Sequence, residues 1–149
     1  FIIIKKIGLV NTHLALIILQ SFTAFGVFLV RQFYMEIPNE ICEAARIDGM
    51  SEYGIYAKIM LPLSKPVIAT LTIFSFTTIW NDFMGPLIYI NSQNLKTIQL
   101  GLRSFITEYS SEYSLIMAGS VVALIPVLIV FACLQKYFVE GIASTGLKG

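Results

Sequence analysis

The chain has 149 residues, 56% of them hydrophobic and only 13% charged, with a net charge of +1 and a strongly positive mean hydropathy. A water-soluble domain carries about 25% charged residues, so this composition excludes an ordinary soluble globule and makes the lipid bilayer the natural solvent. The near-neutral balance supplies no basic field for nucleic acid.

Phe1–Ile4 is too short to cross a membrane and is followed by Lys5-Lys6, so it is read as the tail of something upstream and the chain as the C-terminal part of a longer protein. A spanning helix needs about 20 apolar residues to cover the ~30 Å hydrocarbon core. The first qualifying segment covers about 11–31, apolar from Leu14 to Val30. His13 at its start has no second histidine or cysteine at ligand spacing, which argues for a hydrogen-bonded interfacial residue and against a metal site.

The connector that follows, about 36–65, is long and punctuated. Asn39 after Pro38 is a candidate helix cap, and Glu40 and Glu43 are placed in the first turn, where negative charge meets the positive helix end. Ala44 and Ala45 favour helix and leave a smooth face. Gly49 after Asp48 suits the left-handed position that ends a helix. Ser51 can cap a second short helix running to about Leu61, which Pro62 stops, while Pro66 opens the next span. The expectation is a compact helix–turn–helix elbow outside the membrane, with Tyr53, Ile55 and Tyr56 as candidate apolar contacts for a partner.

The second span covers about 66–90, from Val67 to Ile90, and is interrupted by Trp80, Asn81 and Asp82, with Gly85-Pro86 expected to break or kink it. At about 1.5 Å per residue, Asp82 lies roughly 24 Å along from Pro66. A carboxylate at membrane depth marks either a pathway or a helix-to-helix hydrogen bond. Trp80 could offer a stacking face, and Asn81 and Asp82 could accept from a hydroxyl-rich solute. Both readings stand on the sequence. Residues 91–114 are polar enough for a loop, with a short helix expected near Leu100–Tyr109.

The third span covers about 115–137, apolar from Leu115 to about Leu134. Gly119 and Ala123 form a small-xxx-small pair suited to close packing, and Pro126 should bend the helix. A tail, 139–149, follows. The fold class expected is all-α, with three polytopic membrane helices. Lys and Arg divide six (Arg31, Arg46, Lys58, Lys65, Lys136, Lys148) against four (Lys5, Lys6, Lys96, Arg103), a weak preference for a cytoplasmic first loop. Cys42 and Cys133 have no redox or metal-ligand spacing and read as free thiols.

Glu43-Ala44-Ala45, three residues, Gly49, nine residues, Ile59, one residue, Leu61-Pro62 matches every fixed position of the EAA loop. On this motif the chain resembles the permease subunits of binding-protein-dependent ABC importers. The fuller form Glu43-Ala44-Ala45-Arg46-Ile47-Asp48-Gly49, with Leu61-Pro62-Leu63 and Pro66, is similar to the carbohydrate branch. Trp80-Asn81-Asp82-Phe83 with Pro86-Leu87 looks like the outer half of the fifth span of sugar permeases. The ending Gly141 to Gly146-Leu147-Lys148-Gly149 resembles the tail of the smaller permease subunit of the maltose transporter.

The resemblance implies partners: a second permease subunit, a dimer of ATPase subunits, an extracytoplasmic solute-binding protein and the lipid bilayer. It also implies a multi-pass protein of a bacterial or archaeal inner membrane, with loop 32–65 and the C-terminus cytoplasmic. ATPase coupling would fall to Glu43, Ala44, Ala45, Asp48, Gly49, Ile59, Leu61 and Pro62, and Leu147, Lys148 and Gly149 would reach the ATPase from the tail. Trp80, Asn81 and Asp82 would belong to the translocation path. No catalytic set, metal site or phosphate-binding loop is present in the sequence, so ATP and Mg would be used by the partner chain and no cofactor bound by this one. The rival reading is a non-transporting structural or assembly subunit, which explains three spans but not the fixed punctuation of the loop.

Overall fold

A computed structural model describes residues 1–106 and 112–146, with the side chains of 138–146 left aside. Among the described residues the architecture is all-α, with no β-strand. In chain order the α-helices are α1 (Ile2–Lys6), α2 (His13–Gln20), α3 (Ala24–Glu36), α4 (Asn39–Ile47), α5 (Glu52–Ile55), α6 (Leu61–Leu63), α7 (Lys65–Trp80), α8 (Met84–Tyr89), α9 (Ile98–Leu102) and α10 (Tyr113–Gly146). A π-helical turn, Tyr56–Met60, joins α5 to α6. Contacts divide the chain into two compact units, Phe1–Phe22 with Ser75–Ala132 and Thr23–Phe74 with Cys133–Gly149.

Among the described residues one helical stretch, Tyr113–Tyr137 of 25 residues, is long and apolar enough to cross a membrane unaided. Two bent pairs raise the total to three if each counts as one span: His13–Gln20 with Ala24–Glu36, and Glu52–Leu63 with Lys65–Trp80. The many large apolar side chains left exposed along α2, α3 and α10 suit lipid or further helices as neighbours.

The first two apolar segments are not the unbroken helices that their hydropathy suggests. At residues 21–23 the chain leaves helical geometry, and the Thr23 hydroxyl accepts the Gly26 N–H at 3.0 Å, starting α3 afresh. The segment expected to run from Val67 to Ile90 ends instead at Trp80 and resumes at Met84. Pro86 is the physical cause. It has no N–H for the Asp82 carbonyl and its ring would clash there, so the break falls ahead of Gly85-Pro86. Asp82 Oδ1 accepts the Gly85 N–H at 3.2 Å and opens α8. With 16 residues, α7 is about 24 Å long, short of the ~30 Å core.

In the first unit, Asn11 organises the connection after α8. It adopts φ 62°, takes the Tyr89 carbonyl on its own N–H at 2.8 Å, and accepts the Asn91 and Ser92 N–H groups on Oδ1, each at 2.9 Å. Its Nδ2 donates to Ser92 Oγ at 2.7 Å. His13 donates from Nε2 to the Leu95 carbonyl at 3.0 Å. The small-residue face of α10 is used as its spacing suggests: the Leu102 side chain lies against Gly119, and Ala123 is buried. The short helix expected near Leu100–Tyr109 is met by α9 and a 3-10 turn, Arg103–Phe105; residues 107–111 lie outside those described.

Candidate functional site

The elbow lies wholly in the second unit. Its first helix, α4, is preceded by Pro38 in extended geometry with no side-chain cap. The expected cap, Asn39, is instead the first helical residue, and Glu40 alone is acidic in the first turn, so Glu43 sits one turn further along. Pro38 explains the shift: its fixed φ and missing N–H suit the residue that starts a helix.

The end of α4 is a complete Schellman motif. Gly49 takes φ 78°, its N–H donates to the Arg46 carbonyl at 3.0 Å, and the Met50 N–H donates to the Ala45 carbonyl at 3.0 Å. The Asp48 N–H closes on Ala44 at 3.0 Å. The left-handed glycine and the two crossed bonds satisfy carbonyls that a helix end would leave bare. A Cβ at Gly49 would meet nothing within 4 Å, so backbone conformation, not space, demands glycine. Ser51 caps α5 as expected, accepting the Gly54 N–H at 3.2 Å.

Arg46 and Glu52 join the two arms. Arg46 Nε donates to Glu52 Oε1 at 2.6 Å, and Nη2 donates to Oε2 at 3.1 Å. The guanidinium fork holds the Glu52 carboxyl below the usual carboxylate range, and Glu52 in turn raises Arg46. Both groups face solvent.

Burial sorts the remaining candidates. Ala45 and Ile55 are buried within the elbow itself, so Ile55 packs inward and is not a contact for a partner. Glu43, Ala44 and Asp48 are exposed, as are Ile47 at 87% and Tyr53 at 80%. Ile47 belongs to the fuller motif but not to the candidate contacts the sequence offered, although it is the apolar residue just before the turn. Ile59 is half-buried in the π turn, and Leu61 and Pro62 are exposed.

Pro62 does not stop the second arm, which stays helical to Leu63. The Leu61 N–H reaches back five residues to the Tyr56 carbonyl, a π turn of the kind that is rare in helices and frequent at functional sites. Cys42 Sγ lies 3.7 Å from Met60 Sδ, packing α4 on this turn.

The arm meets α7 at Ser64, where the chain bends by 64°. Ser64 is 1% exposed, donates to the Met60 carbonyl at 2.6 Å and shares a hydrogen bond of 2.8 Å with the Tyr34 hydroxyl of α3. The elbow therefore ends in a joint tied to two further helices. Phe25 and Phe74 pack edge to face, 5.8 Å between centroids, where α3 and α7 meet again.

In the first unit, Trp80 and Asp82 line a cavity of about 470 Å³ with His13, Leu16, Gln20 and Phe76. Asp82, in the break between α7 and α8, accepts on Oδ2 from Gln20 Nε2 at the end of α2 at 2.6 Å, so the bond the sequence raised as helix to helix runs from a helix to the break. Trp80 stacks on Phe76, centroids 5.5 Å apart, and its Nε1 donates to the Ala123 carbonyl at 2.8 Å. Asn81 parts from this pair. It donates to the Thr77 carbonyl, accepts from Gln99 Nε2 at 3.1 Å and lines a separate cavity of about 400 Å³. Leu147, Lys148 and Gly149 lie outside the described residues. Both cysteines are free thiols.

Comparison with known proteins places this geometry. Residues 1–144 match the family described as binding-protein-dependent transport system inner membrane component. The chain is 40% identical over 149 residues to the arabinooligosaccharides transport system permease protein AraQ of Halalkalibacterium halodurans, covering all of this chain and 53% of that protein. It is 35% identical over 145 residues to the lactose transport system permease protein LacG of Rhizobium radiobacter, covering 97% and 53%. It is 35% identical over 145 residues to the sn-glycerol-3-phosphate transport system permease protein UgpE of Rhizobium meliloti, covering 96% and 51%. Among solved structures it resembles a bacterial ABC transporter involved in the import of the acidic polysaccharide alginate, with TM-score 0.79 and 27% identity over 93% of this chain and 54% of that one. The chain thus spans about half the length of the curated relatives it matches. With its helices, its punctuated elbow and this match over nearly its whole length, the chain belongs to the family of inner membrane components of binding-protein-dependent transport systems.

Proposed function

We propose that this chain is part of a transmembrane permease subunit of an ATP-driven importer for a sugar or related polyol, and that the elbow between Asn39 and Ser64 couples it to a separate ATPase. The observation that carries the reading is the elbow itself: two short helices about a Schellman turn, with the fixed positions Glu43-Ala44-Ala45 and Gly49 forming its first arm and an exposed apolar flank at Ile47 and Tyr53. Exposed apolar side chains beside free acidic ones are what a docking surface needs: burial supplies affinity and charge supplies register. Glu43 is the charged anchor for a basic residue of the ATPase, and Ala44 allows close approach. Motion of the arm passes through the Ser64 joint into α3 and α7.

The elbow and the C-terminus are cytoplasmic in this reading, and Leu147, Lys148 and Gly149 contact the ATPase. A second permease subunit completes the pathway, and an external binding protein delivers the solute. Trp80, Asn81 and Asp82 contribute to the path where α7 breaks. The polar edges of Asn81 and Asp82 suit hydroxyl groups, and the named solutes of the relatives support the carbohydrate class. ATP and Mg are bound by the partner.

The test is solute-stimulated ATPase activity of the reconstituted full transporter, with its binding protein, across a panel of sugars and polyols. A selective rise for one class is expected. An equal response to every member of the panel rules the solute class out.

A further inference from the structure

We infer that the Arg46–Glu52 pair is a brace that fixes the opening of the elbow and presents its docking flank already shaped; the inference rests on the coupling reading above. Backbone bonds define each side of the turn but leave a gap between them. The Schellman bonds fix the path as far as Met50, and the Ser51 hydroxyl fixes α5 from Gly54 onward. Across the step from Met50 to Ser51 the arms are held by apolar packing, with Ala45 and Ile55 buried and Cys42 against Met60, and such contacts set direction less sharply than a charged, two-pronged hydrogen bond. Arg46 in the last turn of α4 and Glu52 at the first position of α5 close that gap with two bonds from one guanidinium to one carboxylate, at 2.6 and 3.1 Å. Two bonds from a planar fork fix direction as well as distance, which a lysine ammonium at the same place would not.

The pair stands at 52% and 72% side-chain exposure. Ion pairs so open to water add little to stability, so its worth lies in geometry. It has a second consequence on docking. A closed pair enters a groove as a neutral unit, whereas one partner alone takes an uncompensated charge out of water. Loss of either partner should therefore weaken coupling more than loss of both. The brace also leaves Glu43 and Asp48 uncommitted to Arg46, so that they can meet a basic partner.

The experiment uses the full transporter with spin labels at Glu40→Cys and Tyr56→Cys, both exposed positions, and Cys42 and Cys133 replaced by Ser. The width of the interlabel distance distribution is read without nucleotide or ATPase subunit, and solute-stimulated ATPase activity is read in the assembled transporter. Arg46→Lys and Glu52→Gln should both broaden the distribution; Glu52→Gln, which leaves the guanidinium without its counter-charge, should lower stimulated activity about 30-fold, and Arg46→Lys, which keeps the charge but not the fork, should lower it less. The double Arg46→Ala/Glu52→Ala should lose less. The exchange Arg46→Glu/Glu52→Arg should recover a narrow distribution and about half the activity, since the reversed charges oppose the helix ends. Unchanged widths in the single variants, or an exchange that recovers neither quantity, overturn the brace. The width does not depend on docking. A separate Glu43→Arg arm with undiminished ATPase association would count against the coupling reading instead.

Discussion

Asn11 holds its left-handed backbone because its side chain and its own N–H together hold Tyr89, Asn91 and Ser92. Asn11→Ala should cost about 2 kcal/mol, because two backbone donors lose their acceptor and alanine tolerates the left-handed conformation less well than asparagine. Asn11→Gly removes the second penalty only and should fall between alanine and wild type; thermal unfolding in detergent checks the order. Gly49 is the converse case. Its φ of 78° with open space around it predicts that Gly49→Ala costs about 1 kcal/mol and Gly49→Asn less, since asparagine tolerates that region. The two positions differ in legibility. Gly49 follows a helical run and precedes Ser51, so its role can be read from neighbours in sequence. Asn11 acts on residues about 80 positions away, and a lone asparagine before an apolar run has no local signal for that.

At the scale of elements, the sequence marked the elbow arms, the apolar content of the spans and the interruption of the second span ahead of Gly85-Pro86, but not the break between α2 and α3. Hydropathy averages over a window and cannot see that Pro86 denies a donor to Asp82, or that Thr23 restarts a helix. Nor does it show the π turn Tyr56–Met60 ahead of Pro62, or that the arm runs one residue past the proline to Leu63. The Ser64 joint follows from packing alone. Ser64→Ala and Tyr34→Phe should each cost about 1 kcal/mol, and the double variant less than their sum, because both remove one shared bond; a double-mutant cycle on unfolding measures it. The elbow also has a definite pH response. The folded-state pKa of Glu52 is depressed by Arg46, so the brace is present above the ordinary carboxylate pKa and is lost as pH falls through the lowered value. The interlabel width should stay constant as pH falls from neutral to the ordinary carboxylate range and broaden only below that range, whereas Glu52→Gln should be broad throughout.

For the whole molecule, family membership rests on residues 1–144, while the relatives are about twice as long as this chain. In the reading proposed above, what this chain contributes is a stiff lever: an exposed flank, a closed turn and a buried joint into α3 and α7. That lever is useful only on the side of the membrane where ATP is hydrolysed. The decisive measurement is labelling of Ile47→Cys, at the position 87% exposed, with a membrane-impermeant maleimide in the full transporter whose native cysteines are replaced by serine. Labelling in inverted vesicles stripped of the ATPase, and protection when the ATPase subunit is added back, is the expected result. Labelling from the outer face of intact cells would contradict it.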